Sequence, residues 1–337
     1  MWDPLADKLL RCKVCPRRCV IKPGQRGFCR TRENRDGKLY TLIYAEVSSM
    51  AVDPIEKKPL FNFWPGSLAF SISTVSCSFN CPWCQNWEIA HASPGEIPTQ
   101  EIPPEKVVEL AKKYNCRSIA YTYNEPLIWY EYVMDTAKLA KKAGIFNVMV
   151  TNGYVTLEAL DEIAPYLDAA NVDVKAFTEE FYHKYCGTNL KEVLAATEAM
   201  VKKGLHIEVT NLIIPTLNDK PEEIRQLAKW VKEKLGPDTP LHFSRFYPMY
   251  KMIHLPSTPV EIIAKAREIA LNEGLRYVYV GNIPGHKGEN TYCPKCNATV
   301  VERAGFSIVK WNLTDENKCS KCGTPIAIKG KHEVHGT

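Results

Sequence analysis

From residue 67 onward, short apolar runs alternate with longer stretches whose apolar positions recur every three to four residues. The first pattern reads as buried strands and the second as amphipathic helices. Strands are expected at 68–75, 118–123, 146–151, 169–175, 206–214 and 241–246, with a seventh short run at 277–281. Helices are expected over 104–114, 127–143, 157–166, 190–203, 221–235 and 259–272. Pro104 opens the first of these, and Gly144, Gly204 and Gly236 supply C-terminal stops. The alternating Lys and Glu of 222–234 mark a solvated helix surface.

Regular strand–helix alternation implies parallel strands joined by right-handed crossovers. Six units are too few for a closed eight-fold barrel. The expected architecture is an α/β partial (β/α)6 barrel, with its chemistry at the C-terminal ends of the strands. Two segments lie outside the alternation. Residues 1–66 form an N-terminal four-cysteine metal-binding region and linker, with short β pieces near 39–47. The barrel then spans 67–284, and 285–337 form a Cys-rich module of zinc-ribbon or rubredoxin type.

Composition narrows the classes. Hydrophobic residues are 45% of 337, which excludes a disordered chain. No apolar stretch approaches the roughly 20 residues of a membrane helix. The start of the chain lacks the basic-then-apolar pattern of a signal peptide. A soluble, cytoplasmic protein with no membrane partner is expected. The net charge of +5 permits an anionic partner without requiring nucleic acid.

Thirteen cysteines are the exceptional feature, and eleven fall into three clusters. In a reducing compartment such clusters hold metal rather than disulfides. Cys116 stands apart as a small buried hydrophobe, and Cys186 is likewise isolated.

The central cluster is Cys77, Cys81 and Cys84, spaced C-x3-C-x2-C directly after a strand. Three thiolates can hold three irons of a cubane and leave the fourth iron open to a chelating substrate. A four-cysteine ferredoxin site closes every position. Zinc would need a fourth ligand, and the nearest His is His91. This spacing, with Trp83 before the last cysteine, resembles the radical S-adenosylmethionine (SAM) superfamily. The resemblance implies a [4Fe-4S] cluster whose open iron binds SAM, reductive SAM cleavage, and hydrogen abstraction by a 5′-deoxyadenosyl radical.

The strand ends carry further matches. Asn124 and Glu125 stand where glycyl-radical activating enzymes carry a Gly-Gly-Glu-like segment, from which this chain departs. Both offer acceptors for the SAM ammonium; the alternative is a helix-capping Asn124 with Glu125 in the first turn. Thr151 and Asn152, before Gly153, resemble the Thr-Asn-Gly segment of those enzymes. Asp173 and Lys175 share one face of a strand and resemble their Asp-x-Lys pair; a structural ion pair is the alternative. Asn211 would flank the adenosine. His242 resembles a His near SAM, and a satisfied core histidine reads almost equally well.

The tail pairs Cys293-x2-Cys296 with Cys319-x2-Cys322 across twenty-two residues, the pattern of a closed tetrahedral site, with zinc expected. The N-terminal group is Cys12, Cys15, Cys19 and Cys29, spaced C-x2-C-x3-C-x9-C. It suits zinc or an auxiliary iron–sulfur cluster, and zinc is favoured because the spacing matches no ferredoxin run.

Taken whole, the chain resembles the radical SAM enzyme of the AmmeMemoRadiSam system, which is pyruvate formate-lyase activating enzyme-like. The likeness rests on the Cys-Pro-Arg-rich start, the Cys77 loop, 122–126, 209–219, 242–248, 280–282 and the paired knuckles. It implies a protein or peptide substrate, a ferredoxin- or flavodoxin-type one-electron donor, and companion proteins of that system as partners. Two other readings stay open: radical modification of tRNA or another anionic molecule, and a non-catalytic iron–sulfur electron carrier. The open three-cysteine spacing argues against the last.

Overall fold

The computed structural model describes residues 1–334. The chain divides into two compact units. The first comprises Met1–Asp53, Leu68–Ala170 and Tyr182–Leu205; the second comprises Pro54–Ser67, Asn171–Phe181 and His206–Thr337.

In the first unit, Ser118–Tyr121 pairs in parallel with both Leu68–Ser73 and Phe146–Thr151. These strands are buried at nearly every position, as expected of parallel strands whose two faces are both covered. Phe70, Ile119, Ala120, Val148 and Met149 are all buried. The expected α/β fold with parallel strands is the one observed. The first two strands stop at Ser73 and Tyr121, two residues short of the apolar runs, where the chain turns into site loops. The helix expected over 127–143 begins as a 3-10 turn, Pro126–Trp129, and continues as Tyr130–Lys142. Pro126 explains the tight start, since its fixed φ suits a first helical position.

Residues near the N-terminus build a small antiparallel sheet, Trp2–Pro4, Leu10–Cys12 and Val20–Ile21. A hairpin follows, with Arg32–Arg35 against Lys38–Thr41. Its turn is Asp36-Gly37, both at positive φ (50° and 87°), the backbone that a tight two-residue hairpin demands.

In the second unit, His206–Ile213, Leu241–Arg245 and Val278–Gly281 pair in parallel. Helices Pro221–Trp230 and Val260–Asn272 belong to it. The expected helix at 221–235 loses α geometry after Trp230 and ends as a π turn, Val231–Leu235, before Gly236 at φ 112°. The tail forms a second antiparallel sheet from Thr291–Tyr292, Thr299–Ala304 and Ser307–Trp311. Its Cys293 and Cys319 are buried in one apolar cluster with Phe61, Tyr277, Tyr279, Val300 and Ile326. Among the described residues, no helix is long and apolar enough to cross a membrane.

Candidate cluster and cofactor sites

The Cys77 loop leaves the sheet through Ser76, a non-glycine residue held at φ 76°. Such a backbone is strained unless its surroundings fix it. Two contacts do so. Ser76 Oγ donates to the Cys29 carbonyl at 2.6 Å, and Asn124 Nδ2 donates to the Ser76 carbonyl at 2.7 Å. Phe79 and Trp83 anchor the loop in the core, both 3% exposed, while Cys77, Cys81 and Cys84 keep partial exposure. Apolar anchors between the cysteines thus hold the thiols at the rim of the unit.

Glu125 is the hub beside this loop. It is 2% exposed and caps the 3-10 turn by accepting from Leu127 N at 2.9 Å. The Thr151 hydroxyl lies 2.9 and 3.0 Å from its two oxygens, and Asn152 N donates to Oε2 at 2.8 Å. Asn152 Nδ2 in turn reaches Ser78 Oγ at 3.1 Å and Cys77 Sγ at 3.8 Å. The fold therefore brings Cys77, Glu125, Thr151 and Asn152 together from three strand ends. Asn124 serves the loop backbone. Burial, and then the Glu125 charge, push the Cys77 thiol up. A thiolate beside that carboxylate is stabilised by a cation, so the donor set suits a metal cluster.

Also in the first unit, the four N-terminal cysteines line one cavity with Arg17, Arg32 and Tyr154; Ser78 and Glu125 line it too. Arg32 is buried and makes a two-pronged ion pair with Glu131, at 2.9 and 2.6 Å. Burial pushes the Cys15 thiol up to about 12.

In the second unit, Lys175 Nζ pairs with Asp173 at 2.7 Å, both side chains partly exposed. Asn211 Nδ2 donates to the Val174 carbonyl at 2.8 Å, so it fixes the strand end. Asn218, which the sequence reading passed over, does the same: it is 1% exposed and donates to the Lys175 carbonyl at 2.6 Å. Its place in a Pro-Thr-Leu-Asn-Asp turn was the available signal.

His242 is 2% exposed, with Nε2 2.6 Å from Glu208. Glu208, also missed, is fully buried. It meets His206 at 3.0 Å and accepts from the amides of Phe61 and Asn62 at 3.0 and 2.7 Å. Burial pushes the Glu208 carboxyl up, but hydrogen bonds from His206 and His242 outweigh it and hold it at about 2. The local clue was His206-x-Glu208, two polar residues on one face of a buried strand.

The tail thiols converge. Cys293 and Cys322 Sγ are 3.5 Å apart, Cys296 and Cys319 Sγ are 3.7 Å apart, and all four lie within 4.8 Å of one another. One tetrahedral ion with metal–sulfur bonds of about 2.3 Å needs sulfurs about 3.8 Å apart. The tail fits a single metal ion. The Thr324 hydroxyl and amide beside the Cys322 sulfur pull that thiol down to about 6. Cys116 and Cys186 are both buried, as small hydrophobes are.

The family model for the Radical SAM superfamily matches residues 71–231. An uncharacterized protein of Methanocaldococcus jannaschii is 48% identical over 328 residues, covering 97% of this chain and 98% of that one. The pyruvate formate-lyase-activating enzyme of Clostridium pasteurianum is 28% identical over 159 residues, covering 46% of this chain and 66% of that one. Among solved structures, a radical SAM methyltransferase from Sphaerobacter thermophilus is similar in fold, with a TM-score of 0.52 and 16% identity. That match covers 67% of this chain and 71% of the other.

Proposed function

This chain belongs to the radical SAM superfamily, and from that premise we propose that it abstracts a hydrogen atom from a protein or peptide, as a glycyl-radical activating-type enzyme. The family implies a [4Fe-4S] cluster and SAM. When bound, they supply a one-electron cleavage of SAM that yields a 5′-deoxyadenosyl radical. Cys77, Cys81 and Cys84 are the proposed cluster ligands. The observation that carries this reading is the three-thiol loop at the end of the first strand, with Asn152 Nδ2 aimed at Cys77 Sγ.

The chain's own residues have separate tasks in this reading. Asn152 donates toward the Cys77 sulfur, which favours the reduced state of a bound cluster. Glu125 fixes Thr151 and the Asn152 backbone, and Asn124 and Glu125 are kept as candidates for the SAM ammonium on the sequence pattern. Asn124 holds the Ser76 carbonyl and so sets the path of the loop. Asp173, Lys175, Asn211 and His242 are kept as SAM-contact candidates on the sequence pattern alone. Zinc is proposed for the tail thiols. A ferredoxin- or flavodoxin-type donor is the proposed electron source, and proteins of the AmmeMemoRadiSam set are proposed companions. The cytoplasm is the proposed compartment, because thiolate-held metal needs reducing surroundings.

Anaerobic reconstitution with iron, sulfide, SAM and dithionite tests the proposal. 5′-Deoxyadenosine is expected; none, with the iron–sulfur cluster intact, would overturn the enzymatic reading. Deuterium from a labelled protein substrate should appear in 5′-deoxyadenosine. Deuterium arriving only from labelled RNA would redirect the substrate assignment.

A further inference from the structure

Two of the three cysteine clusters differ from the third in spacing. Among the described residues, the tail quartet is the one group of three or more metal-ligand side chains gathered closely enough for a single ion. Cys12, Cys15, Cys19 and Cys29 line a common cavity without converging in that way. The Cys77 trio is spread likewise. Wider spacing is what a polynuclear site needs, because each thiolate binds a different iron.

The surroundings of the N-terminal quartet suit a bound anionic group. Arg32 is buried and acts electrostatically on both Cys12 and Cys29. Arg17 lines the same cavity, and its Nε is a buried donor with no hydrogen-bond partner. A buried N–H left unpaired is costly, and a cluster sulfur is the acceptor this cavity lacks. The other end of Arg17 is already engaged, with the Gly187 carbonyl at 2.6 Å.

The quartet is also wired to the Cys77 loop. The Cys29 carbonyl accepts from Ser76 Oγ at 2.6 Å, Arg30 donates to the same hydroxyl at 3.1 Å, and Ser76 adjoins Cys77. On the other side of Cys77, Ser78 lines the quartet's cavity. Cys19 further borders an open surface cleft with Phe28, His183 and Asn189, so the site is reachable from solvent.

We infer that Cys12, Cys15, Cys19 and Cys29 hold a polynuclear iron–sulfur cluster that relays electrons to the Cys77 loop through Cys29 and Ser76. The relay rests on the proposed function; the nature of the metal at the quartet does not. One electron enters from an external low-potential donor of the ferredoxin or flavodoxin class and leaves toward the Cys77 site. The auxiliary cluster is reduced and then reoxidised; no bond forms or breaks and no proton moves.

The test uses the full chain, reconstituted anaerobically with iron, sulfide and zinc. The triple variant Cys77→Ala/Cys81→Ala/Cys84→Ala should keep part of the iron and a reducible cluster signal in electron paramagnetic resonance. The double variant Cys12→Ala/Cys15→Ala should lose that part of the iron and keep its zinc. A triple variant with extra zinc and no iron would overturn the metal assignment. For the relay, Ser76→Ala should lose the fast phase of cluster reduction by reduced flavodoxin at unchanged iron content, and Ser76→Thr should restore it. An unchanged fast phase in Ser76→Ala refutes the relay. If Ser76→Ala loads no iron, fast reduction by flavodoxin in the double variant refutes it instead, and loss of that phase upholds it. Absence of SAM cleavage by the wild-type protein would sink the proposed function while leaving the iron count of the triple variant to decide the quartet.

Discussion

At the C-terminal end of the chain the Sγ atoms of Cys293 and Cys322 lie 3.5 Å apart, and the quartet closes around one point. At the N-terminal end, Cys12, Cys15, Cys19 and Cys29 surround a cavity and stay apart. Both groups offer four thiols. The tail cysteines sit on tight knuckles within a small sheet and share a buried cluster with Phe61, Tyr277 and Tyr279. A metal ion held there would complete a hydrophobic core. The N-terminal cysteines sit beside the buried Arg32 and the partly buried Arg17, and Cys29 is hydrogen-bonded to the residue before Cys77. The contrast teaches that ligand count alone does not define a metal site. Thiol separation, neighbouring charge and connection to other ligands separate a structural site from a redox site.

The largest effect should come from the tail. Chelation, or Cys319→Ala, should cost on the order of 5–10 kcal/mol there, because binding energy of a structural ion is folding energy. Thermal unfolding of the zinc-loaded protein with and without chelator measures it; an unchanged transition would show that the tail core stands without metal. Next, Glu131→Ala leaves Arg32 buried without its carboxylate partner, at a cost of about 3 kcal/mol. Urea unfolding should register this loss while zinc content stays constant. Equal stability would mean that the quartet itself neutralises Arg32.

Acid should act on the second unit through Glu208. Its folded value, about 2, lies below the ordinary 4.5. The network's stabilisation is therefore complete above 4.5 and is lost as pH falls toward 2. Glu208→Gln should remove that acid-dependent loss, seen in the near-ultraviolet signal of an acid titration. The same profile in both proteins would assign the acid sensitivity to other groups. Asn152→Ala removes a donor to Cys77 Sγ and should cost about 10- to 100-fold in cluster affinity or SAM cleavage, read by iron retention under chelator and by 5′-deoxyadenosine yield. The smallest effect belongs to Thr156, which caps the helix at Ala159 N and also donates to the Lys13 carbonyl. Thr156→Ala should cost about 1 kcal/mol in denaturant unfolding, with metal content unchanged.

Much of this was legible beforehand because it is local. Strands such as Phe146–Thr151 and helices such as Leu190–Lys202 follow the apolar periodicity almost to the residue. Pro and Gly mark their ends for reasons of backbone geometry. Asp173–Lys175 was legible as an ion pair, since it depends on near neighbours in sequence; the cap before Pro126 was expected at Asn124, and the structure gives it to Glu125, one residue on. Glu208 and Asn218 were not legible. Each is explained by partners from separate segments: Glu208 by Phe61, Asn62 and His242, and Asn218 by the Lys175 carbonyl. The local pattern places Glu208 on a strand face and Asn218 in a turn, but it does not reveal their distant partners.

The cysteine spacing alone is enough to group eleven cysteines into three sets, and to single out Cys77, Cys81 and Cys84 as the set with three thiols rather than four. A ligand count needs no third dimension. What only the tertiary structure decided is how far apart the thiols stand and what lies between them. The tail quartet closes on single-ion distances while the N-terminal quartet opens around Arg17 and Arg32. Cys29, forty-eight positions before Cys77 in the chain, lies one hydrogen bond from its neighbour Ser76. The physical reason is that metal geometry and electron paths depend on distances through space, which folding sets and residue spacing does not.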